Sequence, residues 1–184
     1  PFVIDFNEMA ILPSYSLPLL LFVAVTQRIH GFSTPTPNVK SFHIGAGCFW
    51  EPADKLRDVD GIVSTTVGYC GDDEPFASLP SYETVCSGRT KLVEAVRVEY
   101  DSNQLSYSDM LSLFSEVNTA QSGNKRQYQG IIFTSSKDEA AQANDFVLND
   151  DSAIATVEPM SSVFYSAEGY HQNYWVKWRT RVVA

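Results

Sequence analysis

The sequence predicts an α+β domain in which a mixed β-sheet is layered against flanking helices. Short segments rich in Val, Thr and Tyr alternate with amphipathic segments of helical period, an interleaving typical of layered sheet-and-helix domains. The 184 residues are enough for one domain with a sizeable core. The composition, 44% hydrophobic and 19% charged, is ordinary for a soluble globular chain.

The chain is predicted to divide into a presequence with linker, 1–39, and a folded domain, 40–184. Ile11 to Val25 is an apolar run shorter than the roughly 20 residues of a transmembrane helix, and its length suits the apolar region of a secretory signal. The following Phe32-Ser33-Thr34-Pro35 resembles the cleavage region of plastid-targeting presequences in algae with secondary plastids. Plastid localisation is therefore predicted, with a plain secretory signal or a membrane anchor as alternatives.

The first half of the domain is predicted to run strand, turn, helix, strand, loop. Ser41 to Ala46 has strand character, and Gly47 then allows a tight turn. Cys48 to Arg57 is predicted as a helix, because its one proline falls in the first turn, where it is tolerated. Ile62 to Tyr69 is predicted as a strand, and Gly71 to Pro80 as a loop.

The second half adds strands and helices in alternation. Ala95 to Tyr100 alternates apolar and charged residues, which predicts a half-exposed strand. Ser106 is predicted to cap a helix. Gly130 to Thr134 is predicted as a strand, Asp138 to Leu148 as an amphipathic helix, and Thr156 to Tyr165 as extended chain. The C-terminal segment is aromatic, with Tyr170, Tyr174, Trp175 and Trp178.

Charge and cysteine content exclude several classes of function. The net charge of −9 argues against a nucleic-acid partner, because phosphate binding needs a basic face. Three cysteines are too few for a disulfide scaffold, and they lack the C-x-x-C spacing of a structural zinc site. A single reactive thiol is the better expectation, and no metal site is predicted.

Cys48 is the candidate nucleophile, because it follows a strand and a glycine turn and would lie at a helix N-terminus. The unpaired N–H groups and the dipole there stabilise an anion, so we expect a lowered thiol pKa. The alternative is a buried cysteine packed as a small apolar residue.

The neighbouring residues suggest a pocket and an acid. Phe49 and Trp50 would form an apolar rim suited to a methyl or thioether group, unless they are ordinary core residues. Glu94 lies between Val93 and Ala95, where burial would raise its pKa and make it a general acid. Its alternative role is a surface ion pair with an arginine, for which the candidates are Arg89 and Arg97.

Four segments, in this order, resemble peptide methionine sulfoxide reductase of the A type. They are Gly-Cys-Phe-Trp at 47–50, Gly-Ile-Val-Ser-Thr-Thr-Val-Gly-Tyr at 61–69, Tyr82 to Glu94 with Val-Cys-Ser-Gly-Arg-Thr at 85–90, and Phe164 to Tyr174. The resemblance covers about 45 to 175. It implies a ferredoxin-like roll with the nucleophile at a helix N-terminus.

The resemblance also implies the chemistry. Cys48 would attack the sulfur of methionine S-sulfoxide, Glu94 would protonate the oxygen, and Tyr82 and Tyr128 would hydrogen-bond it. Methionine would leave and Cys48 would remain as a sulfenic acid, a state that thiols reverse. The residues that would hold the methyl group are Phe49 and Trp50.

The implied substrates are oxidised proteins or free methionine sulfoxide, and the implied role is repair of oxidative damage. No cofactor would be bound. The reductant would be an external thiol, either thioredoxin, glutaredoxin with glutathione, or dithiothreitol. The mature domain is expected to be a monomer without a stable membrane span.

Several positions depart from the family pattern. Leu92-Val93 replaces a His-Ala pair, Glu51 replaces a Gly, and Gly123 replaces an Asp that helps to hold the substrate backbone. Binding of peptide substrates is therefore in question. The polar residues that could replace that Asp are Asn118, Gln121 and Asn124.

Regeneration of Cys48 leaves two predictions open. Cys70, which is expected on a flexible turn, could resolve the sulfenic acid as a disulfide with Cys48, or an external thiol could reduce Cys48 directly. Cys86 is expected to be structural.

Two other functions compete with the reductase. One is a catalytically weak domain that binds oxidised methionine. The other is a cysteine acyl hydrolase in which Glu168 orients His171, although we expect these two residues and Tyr174 to stabilise the fold around the site.

Overall fold

The computed structural model describes residues 36–71, 79–123, 125–150, 154–160 and 163–182. The apolar run and cleavage region of the predicted presequence lie outside these residues, so targeting to a plastid stays a prediction. Asn124 and most of the predicted 71–80 loop also lie outside them. Within the described part of the chain, no helix is long and apolar enough to span a membrane.

The described residues form six strands, five α-helices and one 3-10 turn. The strands are β1 (Val39–Ala46), β2 (Ile62–Cys70), β3 (Val93–Asp101), β4 (Gly130–Thr134), β5 (Thr156–Pro159) and β6 (Tyr165–Ser166). The helices are α1 (Trp50–Arg57), α2 (Tyr82–Cys86), α3 (Tyr107–Val117), α4 (Lys137–Asn149) and α5 (Tyr174–Val182). The 3-10 turn spans Arg126–Tyr128.

The strands make one mixed sheet with the order β5-β4-β1-β3-β2-β6. The inner four strands pair antiparallel, and β5 joins β4 in parallel. The path β1-α1-β2-β3-α3-β4, with spatial order β4-β1-β3-β2, is the ferredoxin-like arrangement. The α+β prediction is therefore confirmed, and β5 and β6 extend this core at its two edges.

The two faces of the sheet carry different clusters, because successive side chains of a strand alternate between faces. On the helix-covered face, Val96, Val98 and Tyr69 pack in the main core with Phe49 and other buried apolar residues. On the opposite face is a smaller cluster of buried residues, namely Cys70, Val93, Ala95, Ile131 and Phe133. Glu94 follows Val93, so its side chain lies on the helix-covered face.

Most predicted elements are confirmed within a few residues, including the helix that Ser106 caps. Ser106 and Asp109 form a capping box, in which each side chain bonds the backbone of the other. Two helices were not predicted. The short helix α2 lies in a polar stretch, and Ser81 caps it by accepting from the N–H of Thr84. Helix α5 occupies the aromatic C-terminal segment.

Candidate active site

Cys48 lies where β1 turns into α1. Gly47 makes the turn with φ of 82°, and a Cβ at this position would collide with Thr119. Thr119 itself donates through both its N–H and its Oγ1 to the carbonyl of Ala46. Cys48 then directly precedes Phe49, the N-cap of α1. The predicted place of the cysteine at a helix N-terminus is confirmed, and the thiol is solvent-exposed.

The predicted lowering of the Cys48 pKa is wrong. The N–H of Trp50 does stabilise the thiolate, as expected of a helix N-terminus. However, the groups around the sulfur exclude water from one side of it, and this desolvation raises the pKa above its ordinary value. The negative charges of Glu94 and Glu51 raise it further. The resting nucleophile is therefore a thiol at neutral pH.

Glu94 is buried, with 1% of its surface exposed, so the alternative of a surface ion pair with an arginine is wrong. Its Oε2 accepts a hydrogen bond of 3.2 Å from the N–H of Phe49. Its Oε1 is buried and has no hydrogen-bond partner in the described part of the chain. Burial raises the pKa of Glu94 to about 7. The Phe49 N–H, the Gln127 amide and the Cys48 thiol oppose that rise without cancelling it.

Tyr82 and Tyr128 meet beside this carboxyl group. Tyr82 begins α2, and Tyr128 ends the 3-10 turn. Hydrogen bonding of the Tyr82 hydroxyl with Cys86, burial, and hydrogen bonding with Tyr128 all raise its pKa. Burial also raises the pKa of Tyr128, as does the charge of Glu94. The site therefore joins two phenols, a carboxyl group and a thiol, all four of which hold their protons at neutral pH or near it.

Phe49 and Trp50 form an aromatic wall next to Cys48. Phe49 is 1% exposed and packs in the main core. Trp50 stacks on Tyr174, with ring centroids 3.9 Å apart and planes 6° from parallel. Phe49 therefore belongs both to the core and to the aromatic wall. The prediction of a pocket rim and the alternative of an ordinary core residue are compatible for this side chain.

His171 lies inside this aromatic cluster and is 3% exposed. The four rings that surround it belong to Phe49, Trp50, Tyr82 and Tyr170. Neither ring nitrogen has a hydrogen-bond partner among the described residues, and burial lowers the pKa of the imidazole. Glu168 is 3.9 Å away. A base that activates a thiol must hydrogen-bond it, so this arrangement favours the structural interpretation over an acyl hydrolase.

Glu168 positions the segment that carries Tyr82. Its Oε1 accepts from the N–H of Tyr82 at 2.9 Å, and its Oε2 accepts from the hydroxyl of Tyr69 at 2.9 Å. Tyr69 is fully buried and pairs with Glu94 across β2 and β3. Glu168 therefore connects three parts of the site, namely its own segment, helix α2 through Tyr82 and strand β2 through Tyr69.

Gln127 was not predicted as a site residue, although it lies deep in the site with 5% of its surface exposed. Its Nε2 donates to the sulfur of Cys86 at 3.2 Å, and its side chain also stabilises the charged form of Glu94. The one sequence signal that could have identified Gln127 as a site residue is its position immediately before Tyr128. Cys86 thus contacts a residue of the site, and its structural role stays a prediction.

The prediction that Cys70 lies on a flexible turn is wrong. Cys70 is the last residue of β2, is fully buried, and packs against Val93 and Ile131 on the sheet face opposite Glu94. Burial raises its pKa. A disulfide with Cys48 would require the end of β2 to unpair and turn over.

Gly123 occupies the position at which the family pattern has an Asp. Gly123 adopts φ of 81°, and apart from its chain neighbours no atom of the described residues lies within 4 Å of the position a Cβ would take. The Asn118 side chain donates to the Ile154 carbonyl and accepts from the Ala120 N–H, so these two bonds hold it against its own loop and the segment before β5. Gln121 lines a cavity of about 260 Å³ together with Gly123, and so remains a candidate for contact with substrate.

Among the residues that the structure describes, no group of three or more His, Cys, Asp and Glu side chains is placed to hold an ion.

The chain is similar in sequence to known proteins along most of its length. The model of a family described as peptide methionine sulfoxide reductase matches residues 40–183. Peptide methionine sulfoxide reductase MsrA of Methanothermobacter thermautotrophicus is 38% identical over 143 residues, which are 71% of this chain and 82% of that protein. The MsrA of Haloquadratum walsbyi is 35% identical over 144 residues, 73% and 81% of the two chains.

The fold is similar to solved structures of the same kind. Methionine sulfoxide reductase A of Corynebacterium diphtheriae superposes with a TM-score of 0.64 at 27% identity, covering 78% of this chain and 76% of that one. The reduced form of Mxr1 from Saccharomyces cerevisiae gives a TM-score of 0.63 at 29% identity, covering 78% and 87%. With a family model that matches most of its residues, the chain belongs to the peptide methionine sulfoxide reductase family.

Proposed function

We propose that Cys48 and Glu94 act as a proton-sharing pair in the reaction of this family. The chain is a thiol-dependent reductase that converts methionine S-sulfoxide to methionine through a cysteine sulfenic acid. The observation that carries the assignment of residues is the buried carboxyl group of Glu94, which has a pKa of about 7 and an Oε1 without a partner among the described residues.

The proton balance of the oxygen-transfer step follows from the two pKa shifts. The reactive form has a Cys48 thiol and a Glu94 carboxylate, because the pKa of the thiol is raised above that of the carboxyl. When Cys48 attacks the sulfoxide sulfur, its proton passes to Glu94 and from there to the sulfoxide oxygen. While Glu94 holds this proton it is neutral, so it does not repel the Cys48 thiolate. The hydroxyl then moves from the substrate sulfur to the Cys48 sulfur, so a new S–O bond forms on the cysteine while the substrate S–O bond and the S–S bond made by the attack both break. Methionine leaves, and Cys48 remains as a sulfenic acid. The substrate sulfur gains two electrons and the cysteine sulfur loses two.

The phenols support this step by stabilising the oxygen as it gains negative charge. The Tyr82 and Tyr128 hydroxyls hydrogen-bond each other, and the Tyr128 hydroxyl lies in the field of both Glu94 and Cys48. We therefore assign Tyr128 as the direct hydrogen-bond donor to the sulfoxide oxygen and Tyr82 as the residue that orients it. Preorganised donors of this kind stabilise a transition state because they need not reorient during the reaction.

The methyl group of the substrate is proposed to lie against Phe49 and Trp50. Trp50 is braced by its stacked partner Tyr174, and Phe49 by the core. A rigid aromatic surface next to the nucleophile suits a methyl thioether, because sulfur and aromatic rings attract each other.

Regeneration is proposed to use an external thiol of the thioredoxin or glutaredoxin type. Cys48 is exposed, whereas Cys70 is buried on the other face of the sheet. Two external thiols would return Cys48 to its thiol and release water and a disulfide. No bound cofactor is needed, since thiols supply both electrons. We also propose that the enzyme acts as a monomer, since every group of the site comes from one chain.

The test is a reductase assay with both epimers of a blocked methionine sulfoxide, with dithiothreitol as reductant. We expect the S epimer alone to be reduced, and Cys48→Ser to abolish the reaction. Binding of sulfoxide without turnover, or hydrolysis of thioesters without reduction, would overturn the proposal.

The route of regeneration has a separate test. After one turnover without reductant, we expect the count of titratable thiols to fall by one in the wild-type protein and in Cys70→Ser alike. A fall by two that Cys70→Ser prevents would show that Cys70 does resolve Cys48.

A further inference from the structure

We infer that Arg126, held by Glu158, is a positioning residue that sets Gln127 and Tyr128 against Glu94. The inference rests on the proposed roles of Glu94 and Tyr128. Arg126 and Glu158 form a fork-to-fork ion pair, with Nη1 2.7 Å from Oε1 and Nη2 2.8 Å from Oε2. Both side chains are less than a third exposed, at 29% and 28%. Such bidentate pairs fix the guanidinium plane, which a single surface contact does not.

The rest of the guanidinium binds three further segments of the chain. Its Nε donates to the carbonyl of Lys91 at 2.9 Å, and its Nη1 donates to Oε1 of Gln129 at 2.9 Å. Its Nη2 reaches the carbonyl of Gly71 at 3.5 Å. One side chain therefore joins the end of β2, the approach to β3, the strand β5 and its own turn.

These segments carry the site. Lys91 precedes Glu94 by three residues, and Arg126 begins the 3-10 turn that contains Gln127 and Tyr128. That turn has only three residues and no side-chain cap at Lys125. A 3-10 turn this short has little stability of its own. The contacts of Arg126 therefore supply the geometry that the local sequence does not.

The consequence for the reaction passes through Gln127. Its amide favours the charged form of Glu94, and so holds the pKa of that carboxyl below the value that burial alone would give. The ionisable groups that face Glu94 in the site are Cys48, Tyr69 and Tyr128. If the turn loosens, the amide and the Tyr128 hydroxyl both move away, whereas the thiol stays in place.

The experiment compares Arg126→Met, Arg126→Lys and Glu158→Gln with the wild-type enzyme in single-turnover reduction of methionine S-sulfoxide across pH. We expect Arg126→Met to lower the rate about tenfold or more. We also expect it to move the low-pH limb of the pH–rate profile, in which the rate rises as Glu94 loses its proton near pH 7, to higher pH. We expect Arg126→Lys, which keeps the charge but loses the fork, and Glu158→Gln to show smaller changes in the same directions. The matched control is Arg57→Met, which removes a comparable ion pair with Asp54 on α1 and should leave the limb in place.

A purely structural role predicts a different result. It would lower the melting temperature of Arg126→Met and leave the position of the pH limb unchanged, and that outcome overturns the inference. Glu94→Gln separates this failure from failure of the proposed function. If Glu94→Gln keeps the limb, the role of Glu94 itself is wrong. If it removes the limb while all three variants leave the limb at the wild-type position, only the role of Arg126 is wrong.

Discussion

The N–H of Phe49 donates to Oε2 of Glu94 across 3.2 Å, which ties the acid of β3 to the first turn of the nucleophile's helix. The two residues are 45 positions apart in sequence. The bond places the carboxylate where an anion at a helix N-terminus would otherwise bind. Cys48 therefore shares its N-terminal site with a carboxylate, whose negative charge adds to desolvation in raising the pKa of the thiol.

The first prediction concerns the thiol of the free enzyme. We expect Glu94→Gln to lower the pKa of Cys48, because the variant removes a negative charge and a hydrogen-bond acceptor that both favour the thiol form. Glu94 is ionised in the pH range where the thiol titrates, so its charge acts throughout the titration. The measurement is the rate of alkylation by iodoacetamide as a function of pH, whose midpoint should move to lower pH.

Two further variants provide controls for this measurement. Glu51→Gln should move the midpoint in the same direction by less, because Glu51 acts through its charge alone. Glu99→Gln should leave it unchanged, since the Glu99 carboxylate bonds Ser64 and does not affect the thiol. A midpoint that rises in Glu94→Gln would contradict the assignment of the shared proton.

The second prediction is the pH dependence of the single-turnover rate. The rate should rise as pH passes about 7, because Glu94 must lose its proton before it can take that of Cys48. It should fall again above the raised pKa of Cys48, where the pair holds no proton for the sulfoxide oxygen. In Glu94→Gln the lower limb should disappear and the rate should fall about a hundredfold or more. An unchanged limb in that variant would assign the titration to another group.

A feature of the fold or of the site could be predicted from the sequence when it depends only on residues that are close together in the chain. The position of Cys48 follows from a strand, a glycine and a helix that are adjacent in the chain. The burial of Glu94 follows from its apolar neighbours, Val93 and Ala95. Both predictions are confirmed, because each needed only a few residues on either side.

The features that were wrong or missed depend on contacts between distant segments. The direction of the Cys48 pKa shift depends first on desolvation of the sulfur in the folded chain and then on the charge of Glu94, which only the sheet brings near. Cys70 is placed by the end of β2. Because β2 continues one residue beyond Tyr69, Cys70 belongs to the strand, and its side chain points to the face opposite that of Tyr69. Helix α5 depends on tertiary contacts such as the two hydrogen bonds of 2.8 Å from Arg179 to Asp54.

The third prediction separates the two tyrosines. The charges of Glu94 and Cys48 act on the Tyr128 hydroxyl, whereas Tyr82 is engaged by Cys86 and Tyr128, so Tyr128 is the better placed of the two to donate to the substrate. We expect Tyr128→Phe to lower the rate about tenfold, the equivalent of one hydrogen bond, and Tyr82→Phe to lower it less. The measurement is the single-turnover rate at saturating sulfoxide. A larger loss in Tyr82→Phe would reverse the two roles.

The fourth prediction concerns stability at the edge of β2. The side chain of Gln172 pairs with Val67 as a strand residue would, accepting from its N–H at 3.1 Å and donating to its carbonyl at 2.8 Å. It donates as well to the carbonyl of Ala167 at 2.9 Å. Gln172→Ala should therefore lower the free energy of unfolding by about 1–3 kcal/mol, because it leaves the Val67 N–H without its acceptor and removes one donor to the Val67 carbonyl, which the Ala167 N–H also reaches.

Gln172→Glu makes this prediction sharper, since it keeps the size of the side chain and loses the N–H donor. At neutral pH its carboxylate would face the carbonyl oxygens of Val67 and Ala167, so we expect it to destabilise the fold more than Gln172→Ala does. The folded state should raise the pKa of the new carboxyl, because only the protonated form can donate to a carbonyl. Stability should therefore recover as pH falls through that raised pKa. Urea unfolding at neutral and at mildly acidic pH measures both effects, and a Glu variant as stable as wild type at neutral pH would show that Gln172 does not act as a strand partner.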